Sequence, residues 1–445
     1  MHFCRPGANI PHLSRESWAT ILSLLVFGAT YVGILTERLH RTFVVILGAV
    51  AMIMIGTWLS FYSPEQAVAA ADANTIALLL GMMVLVGMFR ETGLFEYVAI
   101  WVAKLARGRS WLLFIYLGAA TTVISMLLDN VTTIILMIPV TMSLADILGV
   151  PMVPFLIGEV MLSNIGGVGT LIGDPPNILI GSAAGLTFTD FITHLLPVVL
   201  VVWVIAQGFL LFLFRRDLIK APEHVDQLMS TDERKALTEP KAAGRLLVVL
   251  GATVILFFIH DRIGLESGIV ALIGASGGLL WLWPDVKKAL DEVHWGVLLF
   301  FIGLFVIVGG LEASGALDVV AHTIASLSRY GIVLSALVIL WVSAFMSAIV
   351  DNVPFTIAML PILGGLSAHG VHAGPLWWAL ALGVGFGGNA TPVGATANVI
   401  VMSYSSKTRE PISSGMWIRR GLPTTLLSCV AASLLLVLAI AIGWY

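Results

Sequence analysis

The sequence predicts an all-α polytopic membrane protein, an inverted repeat of 5+5 transmembrane helices in which each repeat carries a re-entrant hairpin and a broken helix. Three observations carry this reading. Of 445 residues, 58% are apolar and only 11% are charged, and the mean hydropathy is +0.99. That is too little polar surface to cover a soluble globule. Next, the chain states one motif twice: Leu128-Asp129-Asn130-Val131 with Pro139 returns 222 residues later as Val350-Asp351-Asn352-Val353 with Pro361. Gly81, Gly87 and Gly93 match Gly303, Gly309 and Gly315 at the same offset; one residue then drops out, and Gly166, Gly167, Thr170, Gly173 and Asn177 map at 221 onto Gly387, Gly388, Thr391, Gly394 and Asn398. Finally, the cations fall on alternate loops.

In chain order, apolar stretches near the roughly 20 residues needed to cross a bilayer lie at 18–36, 42–60, 74–91, 153–188 (interrupted), 195–214, 246–260, 267–283, 296–312, 375–403 (interrupted) and 422–442. The segments at 111–149 and 332–369 each hold two apolar arms meeting at Asp-Asn, and read as hairpins that return to the side they entered from. Five spans and one hairpin per half is an odd number of crossings, so the second half enters the membrane upside down. Residues 18–214 are then repeat 1 and 246–445 repeat 2. Residues 1–17 form an extracytoplasmic segment, and the first span, lacking a small-residue cleavage site, reads as a retained helix.

Cytoplasmic loops collect lysine and arginine. With both termini outside, 19 of the 23 cations fall on the inner side, and only Arg5, Arg15, Arg262 and Arg329 fall outside. The bias sets the orientation but leaves twelve full spans open beside ten spans and two hairpins, since both keep the parity of every later loop. Residues 215–245, rich in charge and holding Pro222 and Pro240, form a cytoplasmic linker that serves as a tether or as a partner surface. Segments 94–107 and 316–328 are amphipathic and suit helices lying flat at the membrane faces.

The interrupted spans carry the chemistry. Ser163 to Asn177 cannot be one helix, because Pro175 and Pro176 remove amide donors and four glycines add further cost. Gly385 to Asn398 is its counterpart. Unwound backbone at membrane depth is tolerated where it is buried in protein or lines a wet cavity, and the half-helix ends can replace a solute's hydration shell. The substrate-binding candidates are Ser163, Asn164, Gly167, Thr170, Asp174 and Asn177 in the first break, Asn389, Thr391, Thr396 and Asn398 in the second, and Asn130, Thr132 and Asn352 at the hairpin tips. Asp174 reads equally as the cap of the following half-helix or as a substrate ligand. A carboxylate at membrane depth marks a pathway or a proton relay, which assigns proton coupling to Asp129 and Asp351; the competing reading is a solvated Asp-Asn turn. Glu159 is a packing contact or a second protonatable group. The histidines show no metal-ligand spacing, Cys4 and Cys429 are the only cysteines, and hydrolase motifs are absent. The expectation is therefore no enzyme, no metal, no cofactor and no nucleic-acid partner.

The string S-N-I-G-G-V-G-T-L-I-G-D-P-P-N at Ser163 to Asn177, with L-D-N-V-T-T-I-I-L-M-I-P and its echo V-D-N-V-P-F-T-I-A-M-L-P, resembles the ion transporter superfamily. Within it the resemblance, which covers essentially the whole chain, is to the branch of bacterial arsenite permeases and the melanosomal P protein. It implies an inverted-repeat carrier around a central site. Related sodium-coupled dicarboxylate carriers read Ser-Asn-Thr at the hairpin tips, whereas Asp129 and Asp351 stand at the Ser positions here. Two added acids disfavour a dianion. The resemblance thus implies proton-coupled efflux of arsenite or antimonite as the neutral trihydroxide across the cytoplasmic membrane. A cytoplasmic ATPase subunit is an admissible partner beside the lipid bilayer. A sodium/proton antiporter or an organic-anion carrier is the alternative.

Overall fold

A computed structural model of the chain describes residues 15–36, 38–219, 222–284, 286–317, 331–368 and 373–445. Among the described residues all regular structure is helical, and ten helices are long and apolar enough to cross a membrane. The ten are not the ten spans read from sequence. Each arm of the first hairpin (Ser110–Leu127 and Asn130–Leu148) and the first arm of the second (Ile332–Ile349) is long enough to qualify. The halves of the broken helices, Val153–Gly167 with Pro175–Ala184 and Gly374–Gly387 with Thr396–Ser405, are too short, and so is Ser267–Leu282, expected as the full span 267–283. At 1.5 Å per residue the longest half rises about 22 Å, less than a bilayer core of about 30 Å. Residues 1–14 of the expected N-terminal segment, residue 369 at the end of the second hairpin and residues 318–328 of the second amphipathic segment lie outside the described residues.

Helix ends fall where local chemistry puts them. The helix expected from 246 starts at Pro240, because proline at the first position gives up only an amide that has no helical partner. The last helix starts at Ser414, since the Ser413 hydroxyl accepts the Met416 amide as a cap. The span expected from 195 begins at Phe188 behind a Thr187/Asp190 capping box and winds one π turn at Phe191–Leu195.

The chain forms two compact units. The smaller comprises Met1–Asp72 with Leu299–His322. In it Arg15–Leu35 packs against Arg41–Leu59, with Gly48 letting the helix approach Thr30. The Tyr62 hydroxyl donates to the Val306 carbonyl at 3.0 Å, and the Thr20 hydroxyl donates to the Ser314 carbonyl at 2.9 Å. The larger unit comprises Ala73–Leu298 with Thr323–Tyr445. There Ala73–Arg90 lies along Ser267–Leu282, with Gly81 against Ala271 and Gly278 against Met88. Both hairpins and both broken helices belong to this unit.

Gly93 and Gly315, one offset apart, both have φ near +70° (70° and 72°), a left-handed turn that side chains disfavour. A Cβ on Gly93 would stand 1.9 Å from the Ala236 carbonyl oxygen of the linker. The linker is laid on this corner: the Thr238 amide donates to the Thr92 carbonyl, the Glu223 amide to the Leu148 carbonyl, and Lys104 of the helix Leu94–Leu105 pairs with Glu233. The Lys104 hydrogen bond holds the Glu233 carboxyl below its ordinary range. Its stabilisation is therefore present above the unfolded value of about 4.3 and is lost as pH falls through the lower folded value. Limited proteolysis of the linker should accelerate in acid below about pH 4, and Lys104→Met should bring the same acceleration at neutral pH. Equal cleavage rates for wild type and variant at pH 7 would count against the docking role of this pair.

Candidate functional site

The site is built where two hairpin turns meet two helix breaks. In each repeat the break is braced in the same manner. The Thr170 hydroxyl donates to the Met126 carbonyl at 2.6 Å, and Thr391 donates to the Ala348 carbonyl, its counterpart. The Asn177 amide spans the Val168 and Thr170 carbonyls at 2.9 and 2.8 Å, as the Asn398 amide spans those of Gly388 and Thr391 at 2.8 and 2.9 Å. Ser125 and Ser347 donate to the Ser163 and Val384 carbonyls at 3.0 and 2.8 Å. Gly167 and Gly388 allow the chain to fold onto itself, because a Cβ there would stand 2.6 and 2.9 Å from the carbonyl oxygens of Gly173 and Gly394. These contacts satisfy carbonyls that an unwound helix leaves without partners in a region without water. Ser163, Gly167, Thr170, Asn177, Thr391 and Asn398 thus shape the site through the backbone.

A second group of candidates converges on one buried carboxylate. Asp174 occupies the cap position of Pro175–Ala184 yet makes no side-chain cap bond. Its Oδ1 instead accepts from the Asn130 amide at 3.4 Å and from the Asn352 amide at 3.3 Å. Asp174 is 1% exposed, Asn130 3% and Asn352 6%. Two turns on opposite membrane faces would stand about 30 Å apart. Here one carboxylate touches both, so the hairpins are re-entrant and meet at the depth of the breaks. Asp129 and Asp351 each directly precede one of the two asparagines at the hairpin turns, and among the described residues the hydrogen bonds to Asp174 come from asparagine amides.

Asn164 ties the repeats together. Its carbonyl oxygen accepts from Asn130 at 3.1 Å, while its amide donates to the Asn389 and Asn398 side chains at 2.8 and 3.0 Å. Asn389 in turn donates to the Met161 carbonyl at 3.0 Å, and the Trp417 indole donates to the Asn389 carbonyl at 3.1 Å.

The two halves part company at matched positions. Asn164, Asp174 and Thr132 stand opposite Gly385, Ala395 and Pro354, and Thr396 stands opposite Pro175. Asp129 accepts from the Thr132 amide and hydroxyl, three residues along its own hairpin. Asp351 accepts at 2.7 Å from the Thr396 hydroxyl, which belongs to the broken helix.

The roles of Ser125, Ser347 and Trp417 escape a reading by residue type. The serines were visible as a pair one offset apart, but a lone serine in an apolar arm carries no signal. Trp417 has no sequence signal for its contact. Glu159 is buried and apart from the cluster: Oε1 accepts from the Thr141 hydroxyl at 2.8 Å, and Oε2 has no hydrogen-bond partner among the described residues. Among the described residues no group of three His, Cys, Asp or Glu is placed to hold a metal ion.

Known proteins resemble this chain in sequence and in fold. Residues 31–383 match the family model described as CitMHS, citrate transporter. The chain is 39% identical to an uncharacterized transporter of Mycobacterium bovis over 94% of this chain and 98% of that one. It is 32% identical to the human P protein over 97% of this chain and 61% of the longer protein. The crystal structure of the YdaH transporter of Alcanivorax borkumensis superposes with a TM-score of 0.60 at 16% identity, covering 97% of this chain and 99% of that one. With whole-chain relatives, the fold and a family match over most of its length in agreement, the chain belongs to the CitMHS citrate transporter family of the ion transporter superfamily and is a multi-pass membrane transporter.

Proposed function

We propose that this protein is a proton-coupled antiporter that exports a small uncharged solute, with the trihydroxides of trivalent arsenic and antimony as its cargo class. The observation that carries the reading is Asp174 held between the Asn130 and Asn352 amides, each of which directly follows a hairpin-tip acid, Asp129 or Asp351. Such a site favours protons or cations and repels a multiply charged anion. Asp129 and Asp351 bind and release the protons, while Asn130, Asn352, Asn164 and Asn389, with Thr132 and Thr396, offer hydroxyl-matching donors and acceptors. The cation distribution supports the cytoplasmic membrane, with residues 215–245 inside and both termini outside. The family description favours a second reading, an organic anion such as citrate, which the charge of the site opposes.

The test is uptake into everted vesicles under an imposed pH gradient. Arsenite should accumulate, and Asp129→Asn or Asp351→Asn should cut the rate about tenfold or more, within the range typical of coupled sites. Unchanged rates in both variants would sink the coupling role. Citrate uptake without arsenite uptake would select the anion reading, and a sodium-evoked pH change without either would select sodium/proton exchange.

A further inference from the structure

Two adjoining cavities lie against the helix Ala73–Arg90, one walled partly by the linker and the other by the first hairpin. The larger, about 420 Å³, is lined by Glu91, Glu239 and Glu292 together with Lys241, Arg245 and Lys288. The smaller, about 20 Å³, is lined by Arg90, Glu292, His294, Ile135 and Thr132. Both share Gly87 and Glu292 in their walls. Thr132 is the residue whose hydroxyl and amide hold Asp129, so the second cavity ends one side chain from a tip carboxylate. Between the two, Arg90 Nη1 meets Glu292 Oε2 at 2.6 Å. Gly87 brings the helices together there, since a Cβ on it would stand 2.8 Å from the Glu292 Cβ.

We infer that the larger cavity is a vestibule on the linker side, and that the Arg90–Glu292 pair closes the way from it toward Asp129. This rests on the proposed role of the Asp cluster as the transport site. The magnitudes suit a closed door. A cavity needs roughly 10–15 Å³ of such space for one water, so the smaller one admits a water and nothing larger. The pair itself is half-open to solvent, with side chains 53% and 33% exposed. Exposed pairs of this kind contribute little, typically below about 1 kcal/mol, so the contact breaks and reforms readily within a transport cycle. Both signs of charge line the vestibule, which gives it wetness without selecting anions over cations; selection is left to the carboxylates beyond the constriction.

The test is thiol accessibility, which needs no transport. In a chain carrying Cys4→Ser, Cys429→Ala and Ile135→Cys, a membrane-impermeant methanethiosulfonate should label the new thiol slowly in everted vesicles and not in right-side-out ones. Arg90→Gln or Glu292→Gln should speed labelling roughly two- to fivefold, the factor expected from an exposed pair, and the exchanged pair Arg90→Glu with Glu292→Arg should return it to the slow rate. Ser230→Cys on the exposed linker should label at one rate in every background, reporting equal reagent access, and gel filtration reports folding. If either single variant does not fold, the other carries the test. Equal rates in all backgrounds, or labelling from the other side, would overturn the inference. Loss of proton coupling in Asp129→Asn is a separate measurement, so accessibility and transport fail independently.

Discussion

Asn164→Leu should lower stability by about 2–4 kcal/mol and stop transport, although leucine keeps the branched heavy-atom skeleton of asparagine. The amide makes three hydrogen bonds to three different elements. Replacing it leaves the Asn389 and Asn398 oxygens buried without that donor, and each unsatisfied buried group costs about 1–3 kcal/mol. Hydrogen bonds between membrane helices average less, near 0.6 kcal/mol, because loosened groups find other partners; the closed packing around Asn164, itself 1% exposed, denies that relief. Thermal unfolding in detergent measures the first effect and vesicle uptake the second. A stability change below 0.5 kcal/mol, the size of an ordinary surface substitution, would show that the amide bridge does not hold the repeats together. Asn164→Asp tests charge against shape: it keeps the acceptor, removes two donors and adds a fourth carboxylate, so it should be at least as damaging as leucine.

Gly167→Ala and Gly388→Ala should each cost about 3 kcal/mol or more, because the added methyl meets a backbone carbonyl that is itself pinned by the break. Gly208→Ala, in a helix where a Cβ meets nothing within 4 Å, should instead gain about 0.4–1 kcal/mol by restricting the unfolded chain. The contrast within one protein separates glycines that permit the break from a glycine that only lines a helix. Comparable effects at all three positions would mean that the breaks relax to accept a side chain.

Much of this was written in the chain in a form that physics can read. Doubled Asp-Asn turns, paired glycines and a Pro-Pro step are local features with local consequences, so hairpins and breaks followed directly. The bracing threonines and asparagines were identifiable as polar residues in apolar surroundings, but not their division of labour. Thr170 and Asn177 turn back on their own backbone while Asn164 reaches across to the other repeat, and that depends on side-chain direction, which residue type does not encode. Asp174 shows the same limit. Its position before Pro175 looks like a helix cap, and only the arrival of Asn130 and Asn352 from distant segments gives its oxygens other partners. Span counting by length was also ambiguous. Hairpin arms are as long and apolar as true spans, and their re-entry appears only when both turns are found on one carboxylate.

The exchange of threonines between the repeats breaks the equivalence that an inverted duplication would otherwise impose on its two gates. Asp129 keeps its threonine when the first hairpin swings, since donor and acceptor ride on the same arm. Asp351 must release Thr396 before the second hairpin can leave the broken helix. A hydrogen bond typically contributes about 0.5–1.5 kcal/mol net, equivalent to roughly a two- to tenfold bias in an equilibrium constant. The first acid's threonine bond thus stays within one hairpin while the second's joins a hairpin to a broken helix, so any movement that parts those two elements breaks a bond in the second repeat that has no counterpart in the first.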